Sequence, residues 1–235
     1  MIKKFDIGGL QCLTSTAGDS SHIAYILYPM DMLGNWIETA AAKYGVTITV
    51  VTGMDWESVF SPWSAPGVPP GSPDFKGKSP EFLKKLQDEV IPQLEARLGI
   101  AADVQRSLVG VSMSGLFALW QWMLCDTFYN IASLSGSFWY EGFLDWMRCH
   151  QIPAKTGKGF FLLGDQEKFS SVKAFRSVGE NTDQIITLLS HAGIDVEFES
   201  VPGNHFSDAL PRLEKAFAAL YRNALISVCG FEDII

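Results

Sequence analysis

The sequence predicts an α/β fold in three layers, with a mostly parallel central sheet covered by helices on both faces. Two observations carry this expectation. From residue 22 to residue 225, short apolar runs suited to buried strands alternate with segments of helical spacing, the pattern of successive βαβ units. The chain also has 235 residues, 47% of them hydrophobic and 19% charged, enough to bury a sizeable core. No internal repeat or linker interrupts the alternation, so residues 1–235 read as one α/β domain.

The elements follow in order. "HIAYILY" (22–28) is a strand, "MLGNWIETAAAKYG" (32–45) a helix ended by Gly45, and "VTITVV" (46–51) a second strand. Residues 56–80, "WESVFSPWSAPGVPPGSPDFKGKSP", are crowded with Pro, Gly and Ser and predict an irregular surface excursion. Trp56 and Trp63 within it argue against disorder, because large aromatic rings favour burial. "PEFLKKLQDEVIPQLEARLG" (80–99) has helical spacing and stops at Gly99, with Pro92 expected to kink or break it. Then come strand 106–111, helix 114–124, strand 131–135, a Trp-rich helical piece 138–150, strand 159–164, helix 181–193, strand 196–201 and a last helix 209–225.

Composition narrows the function classes. The opening "MIKKFDIGGLQC" has no apolar run of signal-peptide length, and no segment approaches the roughly 20 apolar residues of a membrane span. A cytoplasmic location without membrane association is the expectation. Cys12, Cys125, Cys149 and Cys229 are scattered without the close spacing of zinc or redox motifs. A net charge of −8, with no basic cluster beyond Lys84 and Lys85, argues against a nucleic-acid partner. No metal-ligand cluster or phosphate-cradling glycine loop is visible, so neither a metal nor a cofactor is expected. A small molecule is the remaining class of partner.

The chemistry centres on "SLVGVSMSGLFALW" (107–120). Ser112 stands where a buried strand gives way to a helix, with Gly110 two residues before it and Ser114 and Gly115 following. A G-x-S-x-G nucleophile elbow needs this context, because the turn is sharp and small flanking residues keep strand and helix from colliding. Ser114 departs from the usual glycine. A helix N-cap serine fits the same residues.

Chain order adds to the pattern. In hydrolases with this elbow the nucleophile is followed by an acid after a later strand and by a histidine after the last one. Asp165 and Glu167 follow one strand, and His205 follows the next in a Pro-Gly-Asn loop. All three positions fall at strand C-terminal ends, where open α/β sheets bind ligands. The other histidines have ordinary readings: His191 and His150 close helices, where the dipole favours a cation, and His22 opens a strand. The lesser alternative for His205 is a local hydrogen bond within its loop, and for the two acids it is capping of the next helix or exposure to solvent.

The segments "GVSMSGLFALW", "SGSFWY", "FSPWSAP", "LLGDQEKFSS" and "VPGNHFSD" resemble an esterase family of α/β hydrolases that includes esterase D, siderophore esterases, feruloyl esterases and mycolyltransferases. The resemblance runs from about residue 22 to residue 221. It implies the α/β-hydrolase fold, with Ser112 as nucleophile and His205 as general base and then acid. It also implies Glu167 as the acid, with Asp165 as rival; some siderophore esterases resemble a dyad lacking a clear acid.

Such chemistry needs N–H donors for the tetrahedral oxyanion. The Met113 backbone at the helix start is one candidate, and Met30 in "LYPMDMLG" the other, since Pro29 has no N–H. Trp139, Tyr140 and Trp63 are the candidate walls of an acyl or aryl pocket, with core packing as the alternative. The net negative charge offers no attraction for an anionic ferric siderophore. The sequence thus predicts a serine esterase acting on a small carboxylic ester through an acyl-enzyme. The alternatives are a noncatalytic binding protein on the same fold, or an acyltransferase or thioesterase using the same serine.

Overall fold

A computed structural model describes residues 1–18, 21–29 and 33–228. The chain opens with a hairpin, β1 (Ile2–Ile7) and β2 (Leu10–Ser15), that the sequence reading does not anticipate. Gly8 and Gly9 join the strands at φ 58° and 77°, the left-handed conformation that a two-residue hairpin turn demands.

Then come β3 (His22–Leu27), α1 (Gly34–Tyr44) and β4 (Thr47–Thr52). Gly45 ends α1 at φ 64°. The excursion that follows holds α2 (Trp56–Val59) and two short strands, β5 (Ser64–Ala65) and β6 (Phe75–Lys76). Fully buried Phe60 anchors it, and the Ser61 hydroxyl accepts the Gly77 N–H at 2.8 Å.

The helix expected over 80–99 is continuous and does not break at Pro92. It consists of α3 (Ser79–Lys85), one π-helical turn (Leu86–Val90) and α4 (Ile91–Leu98). The Ile91 N–H reaches back five residues to the Leu86 carbonyl, so Pro92 falls in the first turn of a new α segment, where no N–H is required.

The remainder alternates: β7 (Gln105–Val111), α5 (Met113–Leu124), β8 (Asn130–Leu134), α6 (Phe143–Cys149), β9 (Lys158–Gly164), α7 (Val178–His191), β10 (Asp195–Val201) and α8 (Ala209–Val228). The Trp-rich piece is helical only from Phe143, because Gly142 at φ 74° reverses the chain before it.

Among the described residues eight strands form one sheet in the order β1-β2-β4-β3-β7-β8-β9-β10, parallel from β4 to β10 with the antiparallel hairpin at one edge. Neighbouring residues serve opposite faces. Leu108 joins the core shared with Phe82, Phe117, Phe143 and Ile185, whereas Val109 joins the core built with Ile37 from α1 and Phe217 from α8. α5 is buried almost all round, which explains its nearly continuous apolar sequence. No helix among the described residues is long and apolar enough to cross a membrane.

The register positions the site. Leu27 pairs with Gly110, Val111 with Leu134, and Gly164 with Val201, so the loops leaving β3, β7, β8, β9 and β10 emerge along one edge. After β3 the chain first adds β4 on one side and later β7 on the other, which opens the crevice where such sheets bind ligands.

Candidate active site

Ser112 occupies the junction of β7 and α5 at φ 56° and ψ −121°, a conformation that costs a non-glycine residue on the order of 1–3 kcal/mol. The surroundings hold it there. Its N–H donates to the Leu134 carbonyl at 3.0 Å, and its carbonyl accepts the N–H groups of Gly115, Leu116 and Ser137 at 3.0–3.1 Å. Small residues are sterically required: a Cβ on Gly110 would lie 2.0 Å from the Ser114 carbonyl oxygen, and one on Gly115 would lie 2.8 Å from Ser133 Oγ.

Ser114, the departure from the glycine pattern, fastens the elbow. Its hydroxyl accepts the Val111 N–H at 2.8 Å and lies within donating distance of the carbonyls of Leu27 and Val111, at 3.0 and 2.9 Å. The Ser112 side chain makes no helix-capping hydrogen bond. It lies instead 3.1 Å from Nε2 of His205, and 3.3 Å from the Ser137 hydroxyl.

His205 sits in the loop from β10 to α8, which is braced locally. Asn204 Oδ1 accepts the Phe206 N–H at 2.9 Å, and Ser207 Oγ accepts the Asn204 N–H at 2.9 Å. The other ring nitrogen, Nδ1, lies 2.9 Å from Oε2 of Glu167. Glu167 opens a 3₁₀ turn just after β9, and its side chain is only 3% exposed.

That buried carboxylate is well supplied with donors. Oε1 accepts the Ser135 hydroxyl at 2.6 Å and the Gly164 N–H at 2.8 Å, with Arg212 Nη1 at 3.3 Å. Arg212 also donates to Ser135 Oγ and, through Nη2, to the Asn204 carbonyl at 2.7 Å. Burial pushes the Glu167 carboxyl up, but hydrogen bonds from His205, Ser135 and the Gly164 backbone outweigh it and hold the pKa below its ordinary value of 4.5. Glu167 is therefore a carboxylate at neutral pH, so Nδ1 carries the imidazole proton and Nε2 is left free to accept one from Ser112.

Asp165 takes a different part. Its Oδ1 accepts the Gly203 N–H at 3.0 Å at the surface, bracing the histidine loop from outside. Met113 is the first residue of α5, where backbone N–H groups have no intrahelical acceptor and the helix presents its positive end. Met30 lies outside the described residues.

A cleft of about 840 Å³ opens beside Ser112 and His205, walled by Tyr28, Leu33, Trp56, Leu134, Phe206 and Leu210. The aromatic walls expected from the sequence lie elsewhere. Trp63, Trp139 and Tyr140 are not among the residues lining this cleft and pack in a separate aromatic group. The Tyr140 hydroxyl donates to the Trp63 carbonyl at 2.5 Å, the Trp63 indole N–H to the Glu141 carbonyl at 3.0 Å, and Trp139 lies 4.4 Å from Phe175. The rings meet one another because the excursion carrying Trp63 folds down on the loop after β8. Trp56, treated in the sequence only as a sign of order, forms part of the cleft. Ser135 and Arg212 were also missed. Only the Ser-Gly-Ser run at 135–137 hinted at the former, and no local signal marks Arg212.

A family model described as "Putative esterase" matches residues 28–210. The uncharacterized protein YbbA of Bacillus subtilis (strain 168) is 24% identical over 162 residues, covering 67% of this chain and 65% of YbbA, so the match spans just under two thirds of that relative. Among solved structures, the siderophore hydrolase EstB from Aspergillus nidulans superposes with a TM-score of 0.75 at 15% identity, covering 95% of this chain and 94% of EstB. An IroE-like serine hydrolase from Shewanella oneidensis gives a TM-score of 0.74 at 14% identity, covering 95% of this chain and 80% of that one. At these identities the structural likeness is one of fold.

Proposed function

The chain belongs to the esterase family of carboxylic ester hydrolases, and from that premise we propose that it cleaves a small carboxylic ester through Ser112, His205 and Glu167. The observation that carries the reading is the unbroken relay from Ser112 Oγ to His205 Nε2 at 3.1 Å and from His205 Nδ1 to Glu167 Oε2 at 2.9 Å.

Ser112 Oγ attacks the acyl carbonyl as its proton passes to Nε2 of His205, and Glu167 stabilises the imidazolium that forms. The tetrahedral oxyanion is assigned to the backbone N–H of Met113, with Met30 as the second donor. Collapse breaks the bond to the alcohol oxygen, which takes the proton from Nε2. Water then attacks the acyl-enzyme by the same route in reverse, giving the carboxylic acid and free Ser112. The catalytic unit is the single domain 1–235.

A noncatalytic binding protein would have no use for a serine held at strained φ and aimed at a histidine rather than at its own helix. The test is hydrolysis of p-nitrophenyl butyrate by the wild type, Ser112→Ala and His205→Ala. We expect turnover that falls about 10⁴-fold or more in each variant. Hydrolysis that persists in Ser112→Ala contradicts the reading.

A further inference from the structure

We propose that the cleft beside Ser112 takes an uncharged, apolar acyl group several carbons long. This rests on the esterase reading above and specifies its substrate class.

The walls carry the argument. Leu33 and Leu134 lie deep and buried, Tyr28 and Trp56 are half-buried, and Phe206 and Leu210 stand at the mouth. Phe206 is 92% exposed although it directly follows His205 and its ring lies 5.3 Å from the imidazole. A phenyl ring held in water beside the reacting atoms gains its burial energy only when something apolar covers it. About 840 Å³ is room for far more than an acetyl group.

The charged lining residues act against an anionic acyl group. Arg212 is the one lysine or arginine among the described lining residues, and its guanidinium is already engaged by Glu167, Ser135 and the Asn204 carbonyl. Redirecting it to a substrate would strip Glu167 of a partner. Asp208 is the one carboxylate among the described lining residues, exposed at the mouth, where it repels anions. Burial pushes the Tyr28 phenol up, so it presents a neutral hydroxyl. Several structural neighbours are described as siderophore or enterobactin hydrolases, and ferric siderophores are commonly anionic; this cleft suits a different acyl group.

The test measures kcat/KM for p-nitrophenyl acetate, butyrate, hexanoate and octanoate, and for the p-nitrophenyl half-ester of adipic acid. That half-ester has the six-carbon chain of hexanoate with a carboxylate at its tip. Each is run on the wild type, Ser112→Ala, Phe206→Ala and Asp208→Asn. Each methylene that the cleft covers contributes about 0.8 kcal/mol, or about fourfold, so hexanoate should exceed acetate by at least tenfold. The adipate half-ester should fall at least tenfold below hexanoate, and Asp208→Asn should narrow that gap. Phe206→Ala should flatten the chain-length dependence, read as the hexanoate-to-acetate ratio and so independent of any change in overall rate. Ser112-dependent hydrolysis with no chain-length preference, or with the half-ester as fast as hexanoate, overturns the inference and leaves the esterase reading intact. Absence of any Ser112-dependent hydrolysis overturns both.

Discussion

Arg212 Nη1 lies 3.3 Å from Oε1 of Glu167, in a site where the two side chains are 7% and 3% exposed. The same guanidinium donates to the Asn204 carbonyl at 2.7 Å, so one residue of α8 ties the carboxylate after β9 to the loop that carries His205.

Breaking a buried ion pair from one side leaves the other charge without its partner, at a cost of about 3 kcal/mol or more. Arg212→Met should lose that much in urea unfolding. Arg212→Lys keeps the charge but cannot span three acceptors with a planar fork, and should fall between the two. A Met variant as stable as the wild type would show that the pair does not contribute.

Glu167 and Asp165 make opposite predictions for activity. Glu167→Gln removes the charge that fixes the imidazole tautomer and should lower kcat/KM on the order of 10³- to 10⁴-fold. Asp165→Asn keeps an acceptor for the Gly203 N–H and should change kcat/KM by less than about threefold.

Glu167 also links stability to pH. Its folded pKa is depressed, so the stabilisation is fully present above the ordinary value of 4.5 and is lost as pH falls through the lower folded value. The stability advantage of the wild type over Glu167→Gln should therefore shrink as pH drops below 4.5.

The strain at Ser112 can be read apart from its chemistry. Both Ser112→Ala and Ser112→Gly lack the hydroxyl, but only glycine relaxes at φ 56° and ψ −121°. The glycine variant should be the more stable of the two by about 1 kcal/mol, measured by thermal or denaturant unfolding. Equal stabilities would mean that the elbow stores no strain.

Restoring the usual glycine at position 114 should destabilise this chain. The Ser114 hydroxyl contacts the ends of both β3 and β7, and losing a buried hydrogen-bonding group of this kind costs about 1–3 kcal/mol. Ser114→Gly and Ser114→Ala should both unfold at lower denaturant concentration than the wild type.

The parallel strands β3, β4, β7, β8 and β9 are legible in the sequence because they are buried on both faces and read as apolar runs, and the edge strand β10 because Val196 and Phe198 alternate with polar residues. The hairpin is not, because β1 lies at an edge with Lys3, Lys4 and Asp6 in water. The Gly8-Gly9 pair was the available signal. The π turn before Pro92 was hidden because propensity marks a proline but not a neighbouring one-residue insertion that accommodates it. Ser112, Glu167 and His205 stand at strand ends, and strand ends can be located. The cleft cannot be located this way: Tyr28 and Phe206 come from two loops and Trp56 from the start of α2, all far apart in the chain, and ring size in a sequence does not give direction. Trp63, Trp139 and Tyr140 were equally conspicuous and turned toward one another.

The central claim is that His205 activates Ser112 for attack on an electrophile. Intact mass after exposure to a small fluorophosphonate tests it most directly, on the wild type, Ser112→Ala and His205→Ala. The account predicts one adduct on the wild type, none on Ser112→Ala and far slower modification of His205→Ala. A folded wild type that forms no adduct, or an adduct that survives in Ser112→Ala, would contradict it.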